Sequence, residues 1–461
     1  MPKKKTALTI EERLQQALVP AEEQPYEVPE NWVWTYISSG FDVTSSKRVH
    51  KSDWLSEGIP FYRTRELVKL SEQGYVDNEL FISEDLYKTF KKEFGVPQKN
   101  DLLISGVGTI GVPYVISDEK EFYFKDGNVI WLKNKGVFDA SYMYYLYKTV
   151  FIDNQIHSMS AGTTVDTYTI INAKNTIIPL PPLSEQQRIV ERIEELFAKL
   201  DEAKERLQEV ADSFAVRKAA ILHKAFTGEL TKQWRRENGV SDESWEEKKL
   251  EEVCSKITDG THNSPTNSLS GEYMYVTAKN IKDTGIDLSN ITYVTKEVHK
   301  EIYSRCDVIY GDVLYIKDGA TAGIATINTL EEEFSMLSSV ALIRTDLKLA
   351  KNEFVKDYLN YRKKEILKNI SGSAITRLTL SKIKDILVPL PSLPEQHEIV
   401  RLIDDLLARE RAAQQAAEQA LASIDLMKKS ILARAFRGEL GTNKASEASA
   451  LELLKQVLAE N

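Results

Sequence analysis

From Ser184 onward the apolar residues fall at Ile189, Ile193, Leu196, Leu200, Ala203, Leu207, Val210 and Phe214. The steps alternate four and three, the heptad spacing of a coiled-coil seam. Ser184 with Gln187 has capping-box spacing for the start, and Gly228 suits a left-handed stop after Ala225-Phe226. This predicts a helix of about 40 residues, roughly 60 Å long at 1.5 Å per residue. A second seam reads Ile399, Ile403, Leu406, Glu410, Ala413, Ala417, Ala420, Ile424, Met427 and Ile431, opening after Pro394 and stopping at Gly438. Its middle is alanine where the first carries Leu200, Ala203, Leu207 and Val210. Small against large lets helices approach without voids, so an antiparallel pair with Leu207 near Ala417 is expected. The alternative is that each helix packs only on its own globular block.

Ahead of each helix the pattern shortens to β-branched and aromatic runs broken by Gly, Asn and Asp: FYFKDGNVIWLK, DVIYGDVLYIKDG and ATINTL. These read as strands and turns. DLYKTFKKEF and NEFVKDYLNYRKKEILKNI read as helices, so each block is expected to be α/β (α+β). The chain divides into a helical N-terminal segment over 1–25, a block over 26–178 and a first helix over 179–230. A polar connector over 231–247, a block over 248–388, a second helix over 389–440 and a helical tail over 441–461 follow.

The division is a duplication. PLPPLSEQQRIVERI at 179–193 returns without a gap as PLPSLPEQHEIVRLI at 389–403, and KAAILHKAFTGEL at 218–230 as KKSILARAFRGEL at 428–440. Gly162-Thr163 matches Gly372-Ser373 in the same register. The period is far longer than the roughly 20–50 residues of a solenoid repeat.

At 461 residues, 42% hydrophobic and 28% charged, the composition is that of an ordinary globular protein of several domains. No apolar stretch approaches the roughly 18 residues of a membrane span, and MPKKKTALTIEERL lacks the apolar core of a signal peptide. Cys254 and Cys306 make no disulfide framework and no metal spacing, which fits a reducing, cytoplasmic location. The net charge of −9 counts mildly against nucleic-acid binding by bulk charge alone, but not against binding by a local basic face or together with a basic partner.

The order block, helix, block, helix resembles the specificity subunit of type I restriction-modification systems, over nearly the whole chain. The residues that carry the resemblance are Pro-Leu-Pro-x-Leu-x-Glu-Gln at 179–186 and 389–396, and Ile-Leu-x-x-Ala-Phe-x-Gly-Glu-Leu at 221–230 and 431–440. DGTH at 259–262, VTAKNI at 276–281 and GDVLYIKDGATAG at 311–323 look like motifs of target-recognition domains. FYRTREL at 61–67 and NDLLISGVGTIG at 100–111 are weaker counterparts. The resemblance implies a non-catalytic subunit that reads a split duplex DNA target, one half per domain. It implies paired helices that dock two methyltransferase subunits. Those partners would carry S-adenosylmethionine, and restriction or motor subunits can join; the chain itself would hold no cofactor. A structural adaptor with two protein-binding domains on a coiled coil is the alternative.

Catalytic motifs are missing. There is no Asn/Asp-Pro-Pro-Tyr/Phe loop for adenine methylation, no GxxxxGK[S/T] phosphate loop, and no metal cluster among six scattered histidines. Gly106-Val107-Gly108-Thr109-Ile110-Gly111 satisfies GxGxxG, but leads into strand-like Val112-Pro113-Tyr114-Val115-Ile116 rather than a helix, so it is read as a glycine turn bringing backbone amides near DNA phosphates or simply as a tight hairpin. The DNA contacts expected in the first block are Ser45, Ser46, Lys47, Arg48, Lys51, Arg63, Thr64, Arg65, Ser105 and Thr109. In the second they are Thr261, His262, Asn263, Thr277, Lys279, Asn280, Lys317 and Thr321. Base readout needs Arg or Lys on guanine and Asn or Gln on adenine, while hydroxyls and lysines suit phosphates. Glu185, Gln186, Glu395 and Gln396 favour helix starts through the dipole and are expected to face the methyltransferase partners.

Overall fold

The computed structural model describes residues 8–160, 166–368 and 377–460; the Gly162-Thr163 and Gly372-Ser373 match lies outside them. The chain forms two compact units, the first built from two separate stretches and the second from one. One comprises Met1–Arg206 with Ala420–Asn461, the other Leu207–Gln419.

The two units repeat one α+β topology. In the first, a four-stranded antiparallel sheet runs in the order Phe41–Thr44, Val129–Asn134, Leu102–Ser105, Pro113–Val115. In the second, the same order is Cys254–Asp259, Val340–Thr345, Val313–Ile316, Ala325–Ile327. The strands LLIS and VLYI are buried at every residue, which is why they read as continuous apolar runs rather than alternating ones. Each unit adds a three-stranded sheet in which one pair is parallel: Ile59–Tyr62 with Tyr123–Phe124, and Tyr273–Val276 with Phe334–Met336. Each is closed by a strand pair leading into its long helix. Val33 pairs with Leu180 in one, and Glu246 with Leu390 in the other.

The long helices are built as the spacing predicts, with one correction of phase. The first covers Leu183–Asp212 and Phe214–Phe226. Ser213 stays in the right-handed helical region and donates to the Glu209 carbonyl, so the helical turn carries through it. The second covers Leu393–Ala435. Ala413 and Met427, expected on its seam, point outward, whereas Leu407, Ala417, Ile424 and Leu432 are buried. Val210 of the first seam is also exposed. A strict heptad drifts by about 20° per repeat on a straight helix, enough to pass the seam to the neighbouring position.

Each unit packs the start of one helix against the end of the other. Ile189, Val190 and Ile193 share a core with Leu432, Ala435 and Phe436. Their duplicates Ile399, Val400 and Ile403 share the second core with Leu222, Ala225 and Phe226. The segments run antiparallel within each unit. Lys428 Nζ lies 2.5 Å from Asp201 Oδ1 while Arg188 reaches on to Glu447, and Arg217 pairs with Glu410 while Arg235 reaches Glu395. The charge that interrupts the second seam, Glu410, is thereby neutralised.

Both helices stop where glycine takes a positive φ, +80° at Gly228 and +74° at Gly438. At Gly438 a Cβ would also fall inside the Pro29 ring, while at Gly441 (φ +73°) the space is open. Gly438→Ala is therefore expected to destabilise the first unit by more than the about 1–2 kcal/mol that a left-handed alanine costs, and Gly441→Ala by no more than that. Urea unfolding of the two variants checks the difference.

Helices stand near both termini and in the connector among the described residues. Ile10–Ala17 and Ala450–Glu460 are helices, as expected, and Arg13 Nη1 donates to the Leu458 carbonyl at 3.1 Å. The connector holds a helix, Lys232–Glu237, that the polar composition did not suggest. Both cysteines are packing residues whose thiols are pushed up to about 12 by burial. Among the described residues no helix is long and apolar enough to cross a membrane, and no cluster could hold a metal ion.

Candidate nucleic-acid interface

In each unit a single turn gathers the candidate motifs. In the first it lies between the strands Tyr123–Phe124 and Val129–Asn134. The Asn128 carbonyl accepts from Gly106 N–H at 2.8 Å and Thr64 Oγ1 at 3.3 Å. Ser45 Oγ donates to the Val129 carbonyl and accepts from Gly127 N–H, and Ser46 Oγ donates to the Phe124 carbonyl at 2.7 Å. Three stretches far apart in sequence, 45–48, 63–66 and 105–109, thus meet at one place.

The second unit repeats the construction between Phe334–Met336 and Val340–Thr345. Thr261 N–H donates to the Met336 carbonyl, Lys317 N–H to the Ser339 carbonyl, and Ala278 N–H to Ser339 Oγ at 3.3 Å. Beside this turn a cleft of about 670 Å³ is lined by Asn267, Tyr275, Thr277, Lys279, Lys282, Asp287 and Asn290 among others. Amides and lysines converging on a concavity are chemically suited to the edges and phosphates of a nucleic acid.

Not every candidate faces outward. Lys47, Arg48, Lys51, Arg65, Thr109, His262, Asn263, Lys279 and Thr321 are exposed. Arg48 pairs with Asp126 at 2.9 Å, and Lys47 Nζ stands 5.1 Å from the Phe94 ring centre. Arg63, Thr64, Thr261 and Thr277 are half-buried. Ser105, Asn280 and Lys317 are buried and need correction as direct contacts. Ser105 Oγ accepts from Val112 N–H at 2.8 Å and closes the glycine hairpin; its strand returns as Pro113–Val115. Asn280 Oδ1 accepts from Thr277 N–H, and Lys317 Nζ lies 2.8 Å from Asp259 Oδ2.

The sequence reading missed the carboxylates that organise these cations. Asp259, 1% exposed, holds Lys317 and Arg305, and Arg305 in turn lies 3.2 Å from His262 Nε2. Glu66, 2% exposed, accepts from both Arg63 and Arg65. Burial alone would raise the Glu66 carboxyl, but hydrogen bonds from the Arg63 side chain and backbone and from Arg65 outweigh it and bring it down to about 2. The signal was available: a lone acid following two arginines in Tyr62-Arg63-Thr64-Arg65-Glu66.

Glu185, Gln186, Glu395 and Gln396 are also corrected. All four are fully buried, so none presents its side chain to a partner. Gln186 Oε1 accepts from Asp139 N–H at 2.7 Å, and its Nε2 donates to the Val137 and Pro181 carbonyls. Gln396 does the same with Lys351 N–H, Leu349 and Pro391. Glu185 accepts from Trp32 Nε1 at 2.7 Å, Asn443 Nδ2 at 2.8 Å and Thr442 Oγ1 at 3.3 Å. Glu395 accepts from Thr231 Oγ1 and Arg235 Nη1, each at 2.7 Å. Each glutamate therefore ties its own helix start to the segment just beyond the other copy's Gly-Glu-Leu.

The comparisons with known proteins agree with this duplicated frame. The type I restriction modification DNA specificity domain matches residues 29–212 and again 242–420. The type I restriction enzyme EcoBI specificity subunit of Escherichia coli is 25% identical over 446 residues, covering 92% of this chain and 90% of that protein. The EcoKI specificity subunit of Escherichia coli strain K12 is 26% identical over 339 residues, 70% of this chain and 72% of its own. The fold is shared with the crystal structure of the HsdS subunit from Thermoanaerobacter tengcongensis, at a TM-score of 0.65 and 20% identity, covering 90% of this chain and 99% of that one. With its specificity domain present twice and covering most of its length, this chain belongs to the type I restriction-modification DNA specificity family.

Proposed function

We propose that this protein is the non-catalytic specificity subunit of a type I restriction-modification complex, its two domains each reading one half of a split duplex DNA target. The observation that carries the reading is the gathering turn. Both units build it from the same strands, yet the segment bonded to it through Thr64 or Ala278 carries different side chains: Arg63 and Arg65 in one, Thr277 and Lys279 in the other. A common frame with different readers suits a target of two different halves. The paired helix segments would space the readers and dock two methyltransferase subunits, which bring S-adenosylmethionine. Restriction subunits can complete the complex.

The reading is tested by footprinting with the methyltransferase partner present. A split target should be protected, and log K should fall with log salt by about 0.9 for each phosphate neutralised. Exchanging residues 26–178 for the corresponding block of a relative should change one half of the methylated motif and leave the other. Changes in both halves, or partner binding without any DNA protection, would refute the assignment; the second result would point to a structural adaptor.

A further inference from the structure

The two domains carry a four-residue turn at the same place, which opens the helix Thr64–Gln73 in the first and no helix in the second, and its inward-facing residue differs in charge. Arg63-Thr64-Arg65-Glu66 follows the strand Ile59–Tyr62, and Thr277-Ala278-Lys279-Asn280 follows Tyr273–Val276. In each, the fourth residue folds back on the first. Glu66 Oε2 accepts from Arg63 N–H at 3.0 Å, and Asn280 Oδ1 from Thr277 N–H at 3.0 Å. Glu66 is 2% and Asn280 5% exposed. An amide caps this N–H as well as a carboxylate does. The cap alone does not explain a buried charge.

The charge is used by the side chains. Glu66 accepts from Arg63 Nε at 3.1 Å and Nη2 at 2.8 Å, and from Arg65 Nε at 3.0 Å. Arg65 Nη2 continues to Glu79 Oε2 at 2.7 Å. Among the described residues neither Nη1 is engaged: Arg63 is gripped along its inner edge by Glu66 alone and keeps its outer edge, Nη1 with the second Nη2 proton, while Arg65 is held between Glu66 and Glu79 and keeps its Nη1. That outer edge is a bidentate donor of the geometry that guanine O6 and N7 accept. In the second domain Asn280 Oδ1 instead accepts from Thr277 Oγ1 at 3.1 Å, and Lys279 remains a single exposed ammonium.

We propose that Glu66 is a positioning residue for base readout, fixing Arg63 and Arg65 so that their free donors read guanine in one half of the target. Asn280 holds the corresponding loop for the other half. The proposal rests on the function proposed above.

The test uses the full chain assembled with its methyltransferase subunits, reading the methylated motif by sequencing and binding to single-base variants of the target. R63A, R65A and E66Q should each lower discrimination at guanine positions of one half by roughly 5- to 150-fold, leaving the other half intact. E66Q keeps an acceptor for Arg63 N–H but loses the charge that the two arginines hold, so it should melt below the wild type in a transition that is still cooperative. Should it fail to fold, R63K and R65K retain the charges beside Glu66, lose the fork, and should show the same loss. In an R63A/R65A background E66Q should add nothing further. Unchanged discrimination in E66Q, an even loss across all sequences (a phosphate contact), or an undiminished further loss in the double-arginine background overturns the role. A wild-type complex that methylates no split motif refutes the proposed function itself; a wild-type split motif untouched by E66Q overturns the positioning role alone.

Discussion

Arg235→Ala is expected to destabilise the second unit by about 3–5 kcal/mol, the loss seen when one partner of a buried ion pair is removed. Arg235 is 5% exposed and Glu395 fully buried. The arginine donates Nη1 to Glu395 and Thr231, Nη2 to the Gly228 carbonyl at 2.8 Å and Nε to Asp242 at 3.0 Å. Burial opposes its charge, and the bonds to Glu395 and Asp242 outweigh that and raise its pKa. Without it, Glu395 keeps Thr231 alone, since among the described residues its Oε2 has no hydrogen-bond partner. The stranded carboxylate, rather than the lost attraction, sets the size of the effect. Arg235→Met with Glu395→Leu removes both charges and should recover most of the loss, which chemical denaturation of the two single variants and the double variant would measure. A double variant no more stable than Arg235→Ala would show that packing of the connector, and not the buried charge, carries the energy.

The first unit satisfies the same glutamate differently. Glu185 is met by an indole, an amide and a hydroxyl, with no cation among its hydrogen-bond partners in the described residues. The indole that takes the corresponding place in the second unit, Trp245, has no hydrogen-bond partner for its Nε1 among the described residues. The duplicated motif is thus conserved between the copies in what it does, tying a helix start to the far chain segment, and not in the donor chemistry. The glutamine beside it is the stricter element: its three backbone partners are reproduced in both units.

These particulars decide what was legible in the sequence. The helices and their stops were, because heptad spacing and a terminal glycine act locally. So were the strands, whose apolar runs are interrupted by turn residues. That each unit joins the start of one helix to the end of the other was not, because it depends on partners far apart along the chain, such as Arg188 and Glu447, 259 residues apart, or Glu185 and Thr442, 257 apart. Glu185 and Glu395 looked like surface charges because a first-turn acid is already favourable to the helix dipole. Their direction is set by the Pro-Leu-Pro strand ahead of them, which no helical pattern reports. The interface shows the same limit. The motif phrases located two of the three converging stretches in the first unit and all three in the second, but a polar residue in a turn serves equally well facing solvent or satisfying buried backbone. Ser105 and Asn280 do the latter, and only the fold distinguishes them from Thr109 and Lys279.

The dependence on distant segments makes the C-terminal tail a structural part of the first unit. Deleting residues 441–461 would remove Ala450, Leu454 and Val457 from the core, where burial of each of the two larger side chains contributes about 1.5–3 kcal/mol. It would also take Thr442 and Asn443 from Glu185, leaving Trp32 as its remaining donor. Arg188 would lose a bidentate partner, Glu447, at 2.8 and 2.7 Å, and the Thr442 carbonyl at 3.0 Å. A buried carboxylate short of donors adds about 1–3 kcal/mol to the lost packing, for a total of about 5 kcal/mol or more. Hydrogen exchange should therefore report lost protection across Ile10–Ala17 and the start of the Leu183–Asp212 helix. Protection in the Val313–Ile316 strand should persist, because Glu395 of that unit is satisfied by the connector and not by the tail. Equal loss in both units would contradict the assignment of the tail to one of them, and no loss would show that its contacts are energetically idle. The asymmetry follows from the duplication: each copy's glutamate needs the segment after the other copy's helix, and for the first copy that segment is the tail.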